Sequence, residues 1–327
     1  MTRTARTKIV LVGLGRMGHN HLRVLSGMPG FDLVGVVDSN AQAPGDLGPA
    51  RFFHDTADLR SIDFDAAIVA TPTATHYDIA QELILMGKHL LVEKPIASTF
   101  AQGKDILEGA EERGTKLVVG HVERFNPAVQ RLREVVRQGL IGRPTHFAFT
   151  RVGGAPETLT GNNVILDLAV HDIDVLRSFV GPVKLERSAC RVTWQGGVVD
   201  TAELALGSGS GVTASVRVNW MAPAKVRTIR VTGTQGVCFV DYMRQTCAIE
   251  GGRALPPLEP RVEPLSAQAE QFRTFLAEGE VGELCTGSDA LAAVLLAEQA
   301  IELETDRAGR RPFPAFGAPQ LPGLEWV

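Results

Sequence analysis

Three glycines, Gly13, Gly15 and Gly18, constrain this chain more than any other feature. Their Gly-x-Gly-x-x-Gly spacing means little alone, but here it follows an aliphatic run at residues 8–12 and opens a helical pattern with His21, Leu22, Val24 and Leu25 before Gly27. In a strand–turn–helix setting the pattern reads as a dinucleotide fingerprint. Gly13 allows the tight turn, Gly15 lets backbone approach a pyrophosphate, and Gly18 lets helix and strand pack closely. The helix start, at Arg16 and Met17, offers unpaired N–H groups and a positive dipole end to phosphate. A second strand, residues 31–37, ends in Asp38, twenty residues beyond Gly18. A carboxylate there accepts from both adenosine ribose hydroxyls and repels a 2′-phosphate, and Ser39 and Asn40 supply no cation to bind one. NAD is therefore expected rather than NADP, with a plain strand-end turn as the alternative role of Asp38.

The alternation continues. Residues 66–70, 89–92 and 116–119 read as strands, and 79–86 and 99–113 as helices, the first capped by Gly87. Only the second crossover fails. Ala43-Pro44-Gly45-Asp46 and Gly48-Pro49 break it, so a loop or single turn is expected. The pattern implies a doubly wound parallel Rossmann sheet over residues 1–122. Beyond this the texture changes. Helices are expected at 127–138 and 163–180, and strands at 145–152, 185–194, 199–206, 212–220, 226–232 and 237–242. Val212, Ala214, Val216, Val218 and Trp220 alternate with polar residues, as in an antiparallel sheet with unlike faces. Residues 123–327 therefore read as an α+β domain with a large, mostly antiparallel open sheet. Its final helices, 265–278 and 288–304, are placed to pack back on the first domain. The Pro-rich stretch 251–264 reads as a surface loop.

Bulk properties exclude several classes. A length of 327 residues favours two cores over one. Hydrophobic residues at 44% and charged residues at 21% argue against disorder. A net charge of −4 with scattered basic residues gives no electrostatic grip on nucleic acid or an anionic membrane, and Arg310-Arg311 reads as solvated surface. No apolar run reaches membrane-span length, and residues 1–8 hold no signal-peptide core. Cys190, Cys238, Cys247 and Cys285 form neither a Cys-x-x-Cys clip nor a Cys/His cluster. They read as buried free thiols in a reducing, cytoplasmic setting, with no metal site expected.

Two segments carry candidate chemistry. Glu93-Lys94-Pro95 follows a strand of the nucleotide domain, at the carboxyl end where open α/β sheets bind ligands. Pro95 keeps Lys94 out of helical geometry. Asp167 and His171 stand four apart in an apolar helical pattern, with Asp174 three further on. Such a stripe is costly unless it lines a cleft or is paired, so a site and a structural ion pair stay equally open. At the domain change, His121, Arg124 and Asn126 either bind a polar substrate or tie the domains together.

Taken together, Gly13–Gly18, Ala70-Thr71-Pro72-Thr73 with His76, Glu93-Lys94-Pro95 and Asp167-x-x-x-His171 resemble the Gfo/Idh/MocA oxidoreductases, in order and over nearly the whole chain. The resemblance implies a ring secondary alcohol of a sugar, sugar nucleotide or cyclitol as substrate. It also implies a homodimer or homotetramer packed through the open sheet. It assigns Lys94 to the reacting hydroxyl, His171 as general base, and Asp167 to orienting that pair. Thr71, Pro72 and Thr73 would border the nicotinamide ribose, with His76 near the cofactor. Glu93 would bind the ribose or position Lys94. His121, Arg124, Asn126 and Asp174 would face substrate. A narrower likeness, carried by residues 120–127 and 166–174, is to members acting on nucleotide-activated sugars, such as UDP-N-acetylglucosamine 3-dehydrogenases. The chain departs from the family pattern in its broken segment between strands two and three. Two other readings are an NAD-sensing regulator without turnover and a reductase of a non-sugar substrate such as a bilin or imine. The intact Lys94–Asp167–His171 set speaks against the first, and a His base suits an alcohol better than the second.

Overall fold

A computed structural model describes residues 6–45, 47–155, 163–193, 197–251, 255 and 262–307. Asp46, Arg310, Arg311 and most of the 251–264 stretch lie outside these. In the N-terminal part, β1 (Thr7–Val12), α1 (Arg16–Gly27), β2 (Phe31–Val37), β3 (Arg51–Phe53), β4 (Ala66–Val69), α2 (His76–Leu85), β5 (His89–Glu93), α3 (Phe100–Glu112) and β6 (Leu117–Gly120) follow in order. The central strands read as continuous aliphatic runs because both faces are covered. Ile9, Val10, Leu11, Ile68 and Leu91 are fully buried. Thr99 caps α3 by accepting from Gln102 N–H, and Gly87, at φ +71°, ends α2.

The broken crossover holds more than a loop. β3 pairs in parallel with the end of β2, and a 3-10 turn spans Thr56–Ser61. Three residues are too few to show a period, and the pairing of β3 is tertiary. The crossover is therefore retained in short form.

Next come α4 (Pro127–Arg137), β7 (Pro144–Gly154), a π-helical turn (Ile165–Ala169) running into α5 (Val170–Val180), β8 (Val183–Arg191), β9 (Thr201–Ser208), β10 (Thr213–Asn219), β11 (Met221–Gly233), β12 (Val237–Asp241), β13 (Thr246–Ile249), α6 (Pro264–Glu278), β14 (Cys285–Thr286) and α7 (Gly287–Arg307). The first sheet has the order β14-β6-β5-β4-β1-β2-β3, the second β13-β12-β11-β7-β10-β9-β8. The second is antiparallel except that β10 runs parallel to β7. Ala214, Val216, Val218 and Trp220 are buried, as their alternation predicts. They join a core with Phe147 and Phe149 of β7, Leu132 of α4 and Ile173 of α5. The carboxyl-terminal helices reach across: α6 packs on α1, and α7 on α3 and α5. β14 adds an antiparallel strand beside β6 in the first sheet.

The cysteines are free, as expected, but only Cys238 and Cys285 are buried. Cys190 and Cys247 are half-buried. The Cys238 and Cys247 sulfurs lie 3.2 Å apart across β12 and β13, a proximity that nine residues of sequence separation do not announce. Among the described residues no helix is long and apolar enough to cross a membrane.

Candidate active site

The glycine turn is built as its three positions require. Gly13 adopts φ +97°, and a Cβ there would meet the Ala70–Thr71 backbone at 2.8 Å. A Cβ on Gly18 would run into the Gly13 carbonyl. At Gly15 a Cβ would meet no protein atom within 4 Å, so open space lies over this turn. Gly15 is also the N-cap of α1, with no side-chain cap and no acidic residue in the first turn. The first N–H groups of α1 therefore face that space without a side-chain acceptor, a fit for an anionic pyrophosphate. Arg16 is exposed and Met17 half-buried beside it.

Asp38 does more than a strand-end carboxylate need do. One oxygen accepts from Leu14 N–H at 2.6 Å, and the other from Asn40 and Ala41 N–H at 2.9 and 2.7 Å. Burial alone would raise its pKa, but these backbone donors outweigh it and hold the carboxyl below its ordinary value. Asp38 thus fastens the glycine turn to the end of β2 and keeps a charge there.

Glu93, Lys94 and Pro95 leave the carboxyl end of β5, and the Lys94–Pro95 peptide is cis. Glu93 is buried, and His21 of α1 donates to it at 2.7 Å. Its other oxygen accepts from Lys94 N–H at 3.3 Å. Desolvation opposes the Glu93 charge, yet the hydrogen bond and charge of His21 bring its pKa below the usual value. Both Glu93 oxygens are thus engaged within the protein, and a Cβ on Gly120 would meet the carboxyl carbon at 2.9 Å. His76 is buried, with its two ring nitrogens each 2.9 Å from a carbonyl, of Pro95 and of Thr71. It clamps the Thr71-Pro72-Thr73 turn to the lysine turn, a role its position in sequence does not reveal.

Lys94 Nζ donates to the Asp167 carbonyl at 2.8 Å and lies 3.4 Å from its carboxylate Oδ1. The Asp167 Oδ2 accepts from the Trp220 indole at 3.2 Å. Asp167 stands in the π-helical turn, which changes the facing of residues four apart, and its carboxylate goes to Lys94 and Trp220 instead of to His171. His171 follows in the first turn of α5, half-buried, with Nδ1 enclosed and, among the described residues, unpartnered. Burial, then Lys94, Arg151, His121 and Arg227, push its pKa well below the ordinary value. A neutral imidazole beside a lysine ammonium is an acid/base pair ready for an alcohol.

The four expected substrate contacts are instead largely internal. His121, Arg124, Asn126 and Asp174 are exposed by 2, 5, 6 and 0%. Arg124 makes a bidentate pair with Asp174 at 2.8 and 2.6 Å and donates to the Leu284 carbonyl and Asp289. Asn126 caps α4 through Ala128 N–H and donates to the Tyr242 carbonyl. A buried guanidinium needs acceptors, and here protein supplies them, so Arg124, Asn126 and Asp174 join elements of the fold. His121 alone reaches the site, its ring edge-to-face with His171 at 6.1 Å. His121, Asp174 and Cys285 do converge, but Arg124 occupies both Asp174 oxygens and would repel a cation. Sequence reasoning missed Arg151. It is fully enclosed and held by Asp172 at 2.8 Å and Glu123 at 2.9 Å, under the Tyr242 ring. A single arginine in an alternating strand carries no signal of such a network.

Known proteins resemble this chain in both of its halves. Residues 7–121 match the model of an oxidoreductase family with an NAD-binding Rossmann fold, and residues 129–238 match the GFO/IDH/MocA C-terminal domain. UDP-N-acetylglucosamine 3-dehydrogenase of Acidithiobacillus ferrooxidans is 26% identical over 311 residues, 89% of this chain and 96% of that protein. The scyllo-inositol 2-dehydrogenase (NAD(+)) of Bacillus subtilis is 30% identical over 257 residues, 73% of this chain and 75% of its own. The crystal structure of GenD2 from gentamicin A biosynthesis, in complex with NAD, superposes with a TM-score of 0.81 at 25% identity, covering 93% of this chain and 95% of that one. With a turn suited to NAD, a lysine and a neutral histidine beyond it, and both halves matched, the chain belongs to the Gfo/Idh/MocA family of NAD-dependent oxidoreductases.

Proposed function

We propose that this enzyme transfers hydride between NAD and a ring secondary alcohol of a sugar, sugar nucleotide or cyclitol, with Lys94 and His171 as its catalytic residues. The observation that carries the reading is the Lys94–Asp167 contact beyond β5, with burial and then the charge of Lys94 lowering the pKa of His171. Gly13, Gly15, Gly18, Arg16, Met17 and Asp38 hold the dinucleotide, with Thr71, Pro72, Thr73 and His76 bordering its nicotinamide end. When bound, NAD supplies the hydride acceptor at its nicotinamide ring.

The remaining work falls to side chains. His171 takes the hydroxyl proton, which a neutral imidazole can hold. The Lys94 ammonium stabilises the negative charge that develops on oxygen. Asp167 is a positioning residue that sets the direction of Lys94, and Glu93 with His21 fixes the turn behind it. The likeness to a UDP-N-acetylglucosamine 3-dehydrogenase and to a scyllo-inositol 2-dehydrogenase supports the substrate class. The exposed outer face of the second sheet, with Val226 and Phe239, supports a homodimer or homotetramer formed there.

Steady-state NADH formation on UDP-N-acetylglucosamine and on scyllo-inositol tests the assignment. His171→Ala and Lys94→Ala are each expected to lower kcat/KM by about two orders of magnitude or more, with NAD affinity nearly kept. Wild-type turnover in either variant would overturn it.

A further inference from the structure

On the inner face of the second sheet, Arg151 of β7 and Arg227 of β11 are direct cross-strand partners. Like charges so placed destabilise a sheet. The two are not equally compensated. Arg151 is enclosed and takes Asp172 through two nitrogens and Glu123 through a third at 2.9 Å. Arg227 keeps 32% of its side chain exposed, and among the described residues its one ion-pair contact is that same Glu123 oxygen, at 4.0 Å. A guanidinium carries five N–H donors, and those of Arg227 make no hydrogen bond within the described residues. It also lies in the field of the reacting groups. Arg227 helps keep a proton off His171, and Asp167 and Asp172 are among the carboxylates that favour its own charge. The charges of Lys94, Arg151 and Arg227 all act against protonation of His171. A cation kept half-desolvated, short of acceptors and against a like charge, matches a planar oxyanion brought by a ligand.

We infer that Arg227 is a specificity residue that binds an anionic group of the substrate, a phosphate or a carboxylate. This inference rests on the proposed sugar or cyclitol site and selects, within that class, substrates that carry an oxyanion.

The test is calorimetric binding to NAD-loaded protein, which does not require turnover. The probes are UDP-N-acetylglucosamine for phosphate, glucuronate for carboxylate and myo-inositol as neutral reference. Wild type is expected to prefer at least one anionic probe. In Arg227→Gln the anionic-over-neutral preference should fall about tenfold to a hundredfold, the loss of a charge-assisted hydrogen bond. Which anionic probe loses more identifies phosphate or carboxylate as the group. Arg227→Lys should recover part of the preference. Removing the like charge should leave the melting temperature unchanged or raised. Equal weakening of anionic and neutral probes, no anionic preference in wild type, or a melt lowered by several degrees would each overturn the inference. Failure of the dehydrogenase reading itself would appear separately, as anionic binding without NADH formation.

Discussion

His171 shows how a residue's neighbours set its chemistry. In a peptide its imidazole would titrate near the pH of the cell, but burial and adjacent cations lower its pKa well below the ordinary value. A general base must be unprotonated, so the sign is definite. The acidic limb of kcat/KM should lie below about pH 6.5, and activity should hold as pH falls through that value. A limb at or above it, in a pH–rate profile with saturating NAD, would refute His171 as the base. The same shift acts on stability. Below the unfolded pKa the open chain gains a proton that the folded chain refuses, so this residue favours unfolding as pH falls. Lys94 and Asp38 stood out in sequence because each follows a recognisable strand, whereas His171 gained its role only from the family resemblance. The partner of Asp167 was not legible. An i, i+4 rule presumes an α-helix, and here the backbone widens into a π turn.

Elements show where a glycine serves the fold and where it serves the ligand. α1 packs so closely on the turn before it that a Cβ at Gly18 has no room, whereas at Gly15 it would stand in open space. Gly18→Ala should therefore cost about 1–3 kcal/mol of stability through overpacking and weaken NAD as well. Gly15→Ala should leave the melting temperature within a degree or two of wild type while weakening NAD about tenfold or more, by occupying the phosphate's approach. Thermal melts and a fluorescence titration with NAD separate the two variants. Identical melts would remove the distinction. Periodicity disclosed the longer elements, such as β10 and α4. It did not disclose β3, β13 or β14, which are 3, 4 and 2 residues long and exist because a neighbouring strand pairs with them.

At the scale of the molecule, Arg124 is the joint. It stands just past β6, grips Asp174 on α5, and reaches the Leu284 carbonyl before β14 and Asp289 on α7. Breaking a buried pair leaves an uncompensated charge, so Arg124→Ala and Asp174→Ala should each lower stability by about 3–5 kcal/mol. Removing both should cost less than the sum of the two, because no lone charge remains. Urea denaturation midpoints check this, and additive losses would show that the pair does not act as a unit. The sequence by itself determined the βαβ alternation, the glycine turn, the lysine beyond β5 and the unlike faces of the second sheet, because periodicity and motif spacing are local properties of the chain. Only the tertiary structure decided which charges are consumed and which stay available. Arg124, Asp174 and Arg151 are satisfied across distant elements, whereas Arg227 keeps 32% of its side chain exposed and has one long ion-pair contact among the described residues. Pairing of buried charge depends on contacts between residues far apart in the chain, which neither spacing nor composition specifies.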